Sequence, residues 1–258
     1  MRPTEPLKGA LKRSLGLVGL EIHRRSARAS APGGKPADPH IVLATHVAGL
    51  LELLAVEVVL DVGANVGKYG RLLRKHGYRG RIVAFEPISA AFAELELAAA
   101  QDPLWDVHRV ALGRDAGRAT MNVMKSNVFA SFLTPNDYGR AQFPNSELTY
   151  AEEVDVVRLD AVFDELVAPL ERPRTYLKMD TQGSDLEVLA GADGCLDVIV
   201  ALQSEISVRN IYEGMTDWLE ALAVMSGRGF APTGIFPVIR DEAWRVIEFD
   251  CVMTRTDA

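Results

Sequence analysis

Strand-like and helix-like patterns alternate along the chain from residue 40 to its end. Short runs rich in β-branched and aromatic residues predict strands, and the stretches between them carry helical spacing. Such alternation implies a mostly parallel sheet with helices on both faces, so the sequence predicts an α/β fold with a doubly wound, Rossmann-like sheet. The predicted core strands are 58–62, 81–85, 106–112, 175–180 and 198–205, with further strands at 119–124, 153–159, 230–236 and 244–254.

Length and composition limit the class of protein. At 258 residues the chain suits one sizeable α/β domain, and 48% hydrophobic with 24% charged residues is typical of globular proteins. The net charge of −7 argues against nucleic acid as a partner, because that binding depends on clustered Lys and Arg. Cys195 and Cys251 lack the spacing of metal ligands, and we expect buried free thiols in a reducing cytoplasm.

The first part of the chain differs in charge from the rest. Residues 1–30 hold seven Lys and Arg against two Glu, with apolar residues at helical spacing. A linker rich in Pro and Gly follows, which predicts a basic amphipathic extension at 1–38 and a domain at 39–258. Two interpretations of the extension stay open: it lies on an anionic membrane surface, or it packs on the domain or frays. No secretory signal is expected, because charged residues interrupt the first apolar stretch.

A glycine-containing turn follows the first predicted strand and precedes a helix. Gly63 and Gly67 permit tight turns and close approach of a ligand, because neither has a Cβ. The dinucleotide fingerprint G-x-G-x-x-G would need glycine where Asn65 stands. The carboxylate of Asp61 would repel a pyrophosphate but suits the cationic end of S-adenosylmethionine. The turn therefore predicts a cationic cofactor that lacks phosphates.

A second acidic residue ends the next strand. The carboxylate of Glu86 can accept hydrogen bonds from both hydroxyls of a ribose, as in nucleoside-binding doubly wound folds. From the topology, residues after the third strand would flank the adenine. The candidate cofactor-binding residues are Asp61, Gly63, Asn65, Gly67, Glu86, Pro87, Ala111 and Leu112.

With these motifs in this order, the chain resembles the FkbM-type S-adenosylmethionine-dependent methyltransferases. The resemblance implies a class I methyltransferase sheet and an O-methyltransferase that acts on a hydroxyl of a sugar, glycolipid or polyketide-type natural product. The motifs that carry it are Asp61-Val-Gly-Ala-Asn65, Phe85-Glu-Pro87, Val110-Ala-Leu-Gly113, Arg158-Leu-Asp160, Leu177-Lys-Met-Asp180 with Gly183, and Glu187-Val-Leu with Gly191.

The chain departs from this family at one motif. The family commonly has Asp-x-Glu-Gly-x-Glu after the fourth core strand, where this chain has Asp180-Thr-Gln182-Gly-Ser-Asp185. Gln182 removes a charge, which puts any role of that acidic pair in proton transfer or metal binding in doubt. The replacement is also consistent with a subgroup that has a different acceptor.

Methyl transfer to an aliphatic hydroxyl requires a group that takes its proton. Asp180, at the end of the fourth core strand, is the first candidate for this catalytic base, and Glu205 on the fifth is the second. Lys178 alternates with Asp180 on its strand and is a candidate ion-pair partner. A Mg²⁺ ion is not favoured, because its candidate oxygen ligands are scattered along the sequence. Those candidates are Asp160, Asp180, Asp185 and Glu205.

The stretch 126–150 mixes aromatic with polar residues and is the predicted acceptor-binding segment. The expected partner is a small-molecule or glycan acceptor, and the sequence leaves the oligomeric state open. Two other function classes also stay open. One is a nicotinamide-dependent oxidoreductase, which Asn65 disfavours. The other is a non-catalytic cofactor-binding scaffold, with which the loss of a carboxylate at Gln182 is consistent.

Overall fold

A computed structural model of the protein describes residues 39–126 and 129–256. The predicted basic extension at 1–38, with its two interpretations, lies outside these residues. So do Asn127 and Val128 of the predicted acceptor-binding segment. Within the described ranges, no helix has both the length and the apolar character needed to cross a membrane.

Helices and strands alternate through most of the described chain. The helices are α1 (Pro39–Leu53), α2 (Lys68–Lys75), α3 (Ser89–Ala99), α4 (Asp137–Gln142), α5 (Leu159–Val167), α6 (Asp185–Gly191) and α7 (Trp218–Gly227). The strands are β1 (Val58–Val62), β2 (Arg81–Phe85), β3 (Trp105–His108), β4 (Ala111–Leu112), β5 (Gly117–Met124), β6 (Leu148–Val157), β7 (Thr175–Met179), β8 (Ile199–Ser207), β9 (Phe230–Arg240) and β10 (Val246–Arg255).

Seven of the strands form the main sheet, in the order β3-β2-β1-β7-β8-β10-β9. The pairs from β3 to β8 are parallel, and β10 runs antiparallel to both of its neighbours. The predicted α/β, doubly wound, Rossmann-like fold is therefore confirmed. Strand order also sets the position of the site, because β1 and β7 are adjacent and the chain reverses its direction of winding between them.

The two central strands are buried along their whole length. Every residue of β1 and β7 is buried, as expected for parallel strands covered by helices on both faces. Two of these residues are charged. Asp61 on β1 and Lys178 on β7 are paired across the two strands in the sheet register.

The predicted strand 106–112 is wrong in its extent. β3 ends at His108, and Ala111–Leu112 forms β4 in a separate three-stranded sheet of order β4-β6-β5. The reason is long-range pairing: β4 runs parallel to the end of β6, which the local pattern of residues does not reveal. The predicted acceptor-binding segment 126–150 holds α4 and the start of β6.

Candidate functional site

A cavity of about 460 Å³ opens at the carboxyl ends of the parallel strands. Its position agrees with the rule that open α/β sheets bind ligands where the winding direction reverses. Eight of the ten residues predicted for the site line it. These are Gly63, Asn65, Glu86, Pro87, Ala111, Leu112, Asp180 and Glu205.

The turn after β1 is shaped by glycine. Gly63 has a φ of 75°, and a Cβ at this position would lie 2.0 Å from the carbonyl oxygen of Asp180. The backbone N–H groups of Gly63 and Ala64 both donate to the carbonyl oxygen of Phe85, at 3.0 Å. The turn is thus held against the ends of β7 and β2, and only a glycine fits.

Asp61 and Gly67 are not among the residues that line the cavity. Gly67 begins α2 with a φ of 76°, and a Cβ there would meet Leu95 at 3.0 Å and Ala98 at 3.1 Å. Its role in the structure is the packing of α2 against α3. Asp61 is 0% exposed and faces Lys178 instead of the turn.

Glu86 is fixed by two backbone hydrogen bonds at the edge of the cavity. The N–H of Asn65 donates to its Oε2 at 2.8 Å, and the N–H of Ile88 donates to its Oε1 at 2.9 Å. The residue is 6% exposed, and this burial raises the pKa of Glu86 to about 7, although both hydrogen bonds lower it. Each carboxylate oxygen has a further lone pair, so the group can still accept hydrogen bonds from a ligand.

Lys178 links the buried strand to the cavity. Its Nζ lies 3.0 Å from Oδ1 of Asp61 and 3.4 Å from Oδ2 of Asp180, and it is 5.2 Å from the centre of the Tyr69 ring. Burial disfavours the ammonium, but the two carboxylates outweigh it, so the pKa of Lys178 is raised. The predicted ion pair with Asp180 is present, and Asp61 is a second partner that sequence reasoning missed.

Gln182 connects the two candidate catalytic carboxylates. Its Nε2 donates to Oε2 of Glu205 at 2.8 Å and approaches Oδ1 of Asp180 at 3.3 Å. Its Oε1 accepts from the hydroxyl of Tyr212 at 2.9 Å, and its backbone oxygen accepts from Oγ of Ser131 at 2.7 Å. The residue that departs from the family motif therefore lies at the centre of the hydrogen-bond network.

The carboxylates near Gln182 are crowded, which changes their acidity. Burial and then the carboxylates of Asp180 and Glu248 raise the pKa of Glu205 well above its usual value. Burial likewise raises the pKa of Glu248 to about 7 and the pKa of Asp250 to about 6. A buried carboxyl with a raised pKa is the kind of group that can accept a proton near neutral pH.

Two of the four candidate oxygen ligands for Mg²⁺ are bound to other side chains. Asp160 forms an ion pair with Arg158 at 2.6 Å, and Asp185 accepts from Thr181 and Ser204. Over residues 39–126 and 129–256, no three His, Cys, Asp or Glu side chains are arranged to hold a metal ion.

Several lining residues were not predicted, because they come from elements distant in sequence. Gln203 on β8 accepts from the hydroxyl of Tyr69 at 2.9 Å and donates to Asp250 at 2.8 Å. From the predicted acceptor-binding segment, Ala130 and Phe132 reach the cavity. The one available signal was the alternation of Gln203 and Glu205 on a strand, which places both on the same face.

The comparison with protein families decides the class of the chain. The methyltransferase FkbM domain matches residues 61–232, well over half of the sequence. The chain belongs to the FkbM methyltransferase family. The match begins at Asp61 on β1 and covers both candidate catalytic carboxylates. This FkbM protein is therefore a methyltransferase by family, and the nicotinamide-dependent alternative receives no support.

The solved structures that align with this chain have low sequence identity to it. Fibrillarin from Aeropyrum pernix, with natively bound S-adenosyl-L-methionine, is 12% identical with a TM-score of 0.45, over 83% of this chain and 74% of that one. An O-methyltransferase from Bacillus cereus with S-adenosylhomocysteine is 9% identical with a TM-score of 0.48, over 99% and 93%. TomG from Streptomyces achromogenes, an O-methyltransferase of tomaymycin synthesis, is 12% identical with a TM-score of 0.48, over 98% and 91%. No curated protein matches the FkbM chain.

Proposed function

We propose that this FkbM protein is an S-adenosylmethionine-dependent O-methyltransferase that acts on a hydroxyl of a small-molecule or glycan acceptor. The observation that carries the proposal is the position of Glu86. Its carboxylate is held by two backbone N–H groups in the same cavity as the glycine turn and the carboxylates of Asp180 and Glu205.

The charges that line the cavity fit a cationic cofactor. Four carboxylates line it, those of Glu86, Asp180, Glu205 and Asp250, against the two lysines Lys68 and Lys178. Lys178 is already paired with two carboxylates. A positive sulfonium is stabilised by such surroundings, whereas a pyrophosphate would be repelled.

Individual residues suit individual parts of the cofactor. Glu86 would accept the ribose hydroxyls, Gly63 and Asn65 would face the amino-acid part, and Pro87, Ala111 and Leu112 would pack against the adenine. When bound, S-adenosylmethionine supplies a methyl group that is already activated by the positive charge on sulfur. Asp61 acts indirectly in this proposal, by keeping Lys178 charged and in place beneath the turn.

Glu205 is the better of the two candidates for the base. Both oxygens of Asp180 are engaged, because Oδ2 lies 3.4 Å from Nζ of Lys178 and Oδ1 lies 3.3 Å from Nε2 of Gln182. Glu205 accepts from Gln182, and burial and then the neighbouring carboxylates raise its pKa. A carboxylate whose pKa is raised accepts a proton more readily than an ordinary one. We therefore assign proton removal from the acceptor hydroxyl to Glu205 and orientation of that hydroxyl to Asp180, which reverses the order of preference drawn from the sequence.

Isotope transfer tests the proposal directly. The protein is incubated with S-adenosylmethionine that carries a ¹³C-methyl group and with a small-molecule extract of the cells in which it occurs. We expect a new methyl signal on oxygen by NMR, which Glu205→Gln lowers by roughly 10²- to 10⁴-fold while S-adenosylhomocysteine still binds. A methyl group on nitrogen or carbon contradicts the O-methyltransferase. Binding without any transfer favours the non-catalytic scaffold.

A further inference from the structure

The cavity that holds the candidate catalytic carboxylates is also lined by the two helices α1 and α2. We call the part that they line the helical arm. Its lining residues from the two helices include Leu43, Ala44, Val47 and Ala48 of α1 and Tyr69 and Leu72 of α2. None of the helical-arm residues on α1 is assigned a role in the proposed cofactor site or in proton transfer.

Strand order places the candidate catalytic carboxylates between the proposed nucleoside site and the β9 edge of the sheet. Glu86 follows β2 and Gly63 follows β1, whereas the next strands in the sheet carry the reacting groups and then Asp250 on β10. α1 reaches that edge, where Nε2 of His46 is 3.0 Å from Oγ1 of Thr233 on β9, and its buried side chains share an apolar cluster with Val59 of β1. In the strand order, Asp180 and Glu205 thus lie between the residues proposed to bind the nucleoside and the edge that α1 reaches at β9.

Most of the side chains that the two helices present to the helical arm are apolar, with His40 and Lys68 near the N-terminal ends of the helices. Leu43, Ala44 and Val47 are buried aliphatic side chains of α1. At the inner end, the hydroxyl of Tyr69 donates to Gln203, and Gln203 donates to Asp250. An occupant would gain little from polar groups along these walls, but it would gain from apolar surface removed from water.

We propose that the helical arm binds the apolar body of the acceptor, so that the acceptor is an amphipathic alcohol and not a free sugar. The hydroxyl end lies at Asp180 and Glu205, and the alkyl or aromatic body extends between α1 and α2. This inference rests on the proposed function, because it takes the part of the cavity at Glu86 and Gly63 as the cofactor site.

A series of alkyl glucosides tests the helical arm. Binding of methyl, butyl and octyl β-glucoside is measured by calorimetry with S-adenosylhomocysteine present, below the micelle concentration. We expect each buried methylene to tighten binding roughly fourfold until the arm is filled. Ala44→Phe places a ring in the arm and should weaken octyl glucoside binding at least tenfold. Thr45→Phe, on the exposed side of the same helix, is the matched control and should not.

Leu72→Ala gives a second arm variant that enlarges the space. It should move the plateau of affinity to a longer chain, and it keeps the test decisive if Ala44→Phe fails to fold. Three results would overturn the inference. Methyl and octyl glucoside could bind with equal affinity, neither could bind, or neither arm variant could change the binding. Binding of S-adenosylhomocysteine is measured separately in each protein. If the unaltered protein does not bind S-adenosylhomocysteine, the proposed function is contradicted, and this result does not depend on whether the glucosides bind.

Discussion

Lys178 Nζ lies 3.0 Å from Oδ1 of Asp61, and both side chains are buried between the central strands β7 and β1. Removing one partner of such a pair leaves an uncompensated buried charge, which costs about 3–5 kcal/mol. We predict that Lys178→Met lowers the free energy of unfolding by this amount, measured by urea unfolding followed by circular dichroism.

The double variant Asp61→Asn/Lys178→Met is the control for the ion pair. Because replacing both members of a buried pair is often close to neutral, it should recover most of the stability that the single variant loses. A single variant as stable as the unaltered protein would show that the pair does not hold the two strands together.

Gly63 and Gly77 form a matched pair for the glycine turn. Both have a positive φ, so alanine costs about 1–2 kcal/mol in either place. Only at Gly63 would the added Cβ also lie 2.0 Å from a backbone oxygen, while nothing lies within 4 Å at Gly77. We predict that Gly63→Ala lowers the thermal midpoint clearly more than Gly77→Ala. Equal midpoints would contradict the close approach of the turn to Asp180.

Gln182→Glu restores the residue common in the family and should destabilise this protein. The amide donates to Glu205 at 2.8 Å, and a carboxylate would place a third negative charge beside Glu205 and Asp180. We expect a loss of about 1–3 kcal/mol at pH 8, when the new group is ionised, and a smaller loss at pH 6, when it can be protonated and donate. Urea unfolding at the two pH values measures the difference, and an equal loss at both would contradict this explanation.

Stability should fall as the pH rises from about 4.5 to 7. Burial raises the pKa of Glu86 and Glu248 to about 7 and that of Asp250 to about 6, all above their unfolded values. The folded protein therefore binds more protons than the unfolded chain in this window, and raising the pH favours unfolding. Urea midpoints at pH 5, 6, 7 and 8 check the slope, which Glu248→Gln should reduce. A midpoint that rises across the window would be the opposite of our prediction.

Much of the fold could be predicted from the sequence, because its central strands are fully buried. β1 and β7 are buried on both faces, so their sequences are short, mostly apolar runs that predict strands without knowledge of the rest of the chain. The division of residues 106–112 between two sheets could not be predicted. It depends on pairing between β4 and the end of β6, which lie far apart in sequence.

The site residues that directly follow a parallel strand could be predicted from the sequence. Glu86 and Asp180 directly follow parallel strands, and the carboxyl ends of those strands meet at one edge of the sheet. The direction of the Asp61 side chain was not predictable, because it depends on the register between β1 and β7. The same holds for Tyr212, whose hydroxyl reaches Gln182 from a distant loop.

The pH dependence of S-adenosylhomocysteine binding tests the central claim most directly, because the nucleoside depends on the ionised carboxylate of Glu86. With a pKa of about 7, Glu86 loses its charge as the pH falls. If Glu86 binds the ribose as proposed, calorimetry should show binding at pH 8 that weakens roughly tenfold for each pH unit below 7. Glu86→Gln should bind far more weakly and without this dependence, and NAD should bind neither protein. Equal affinity in the unaltered protein and Glu86→Gln across the pH range would contradict the account.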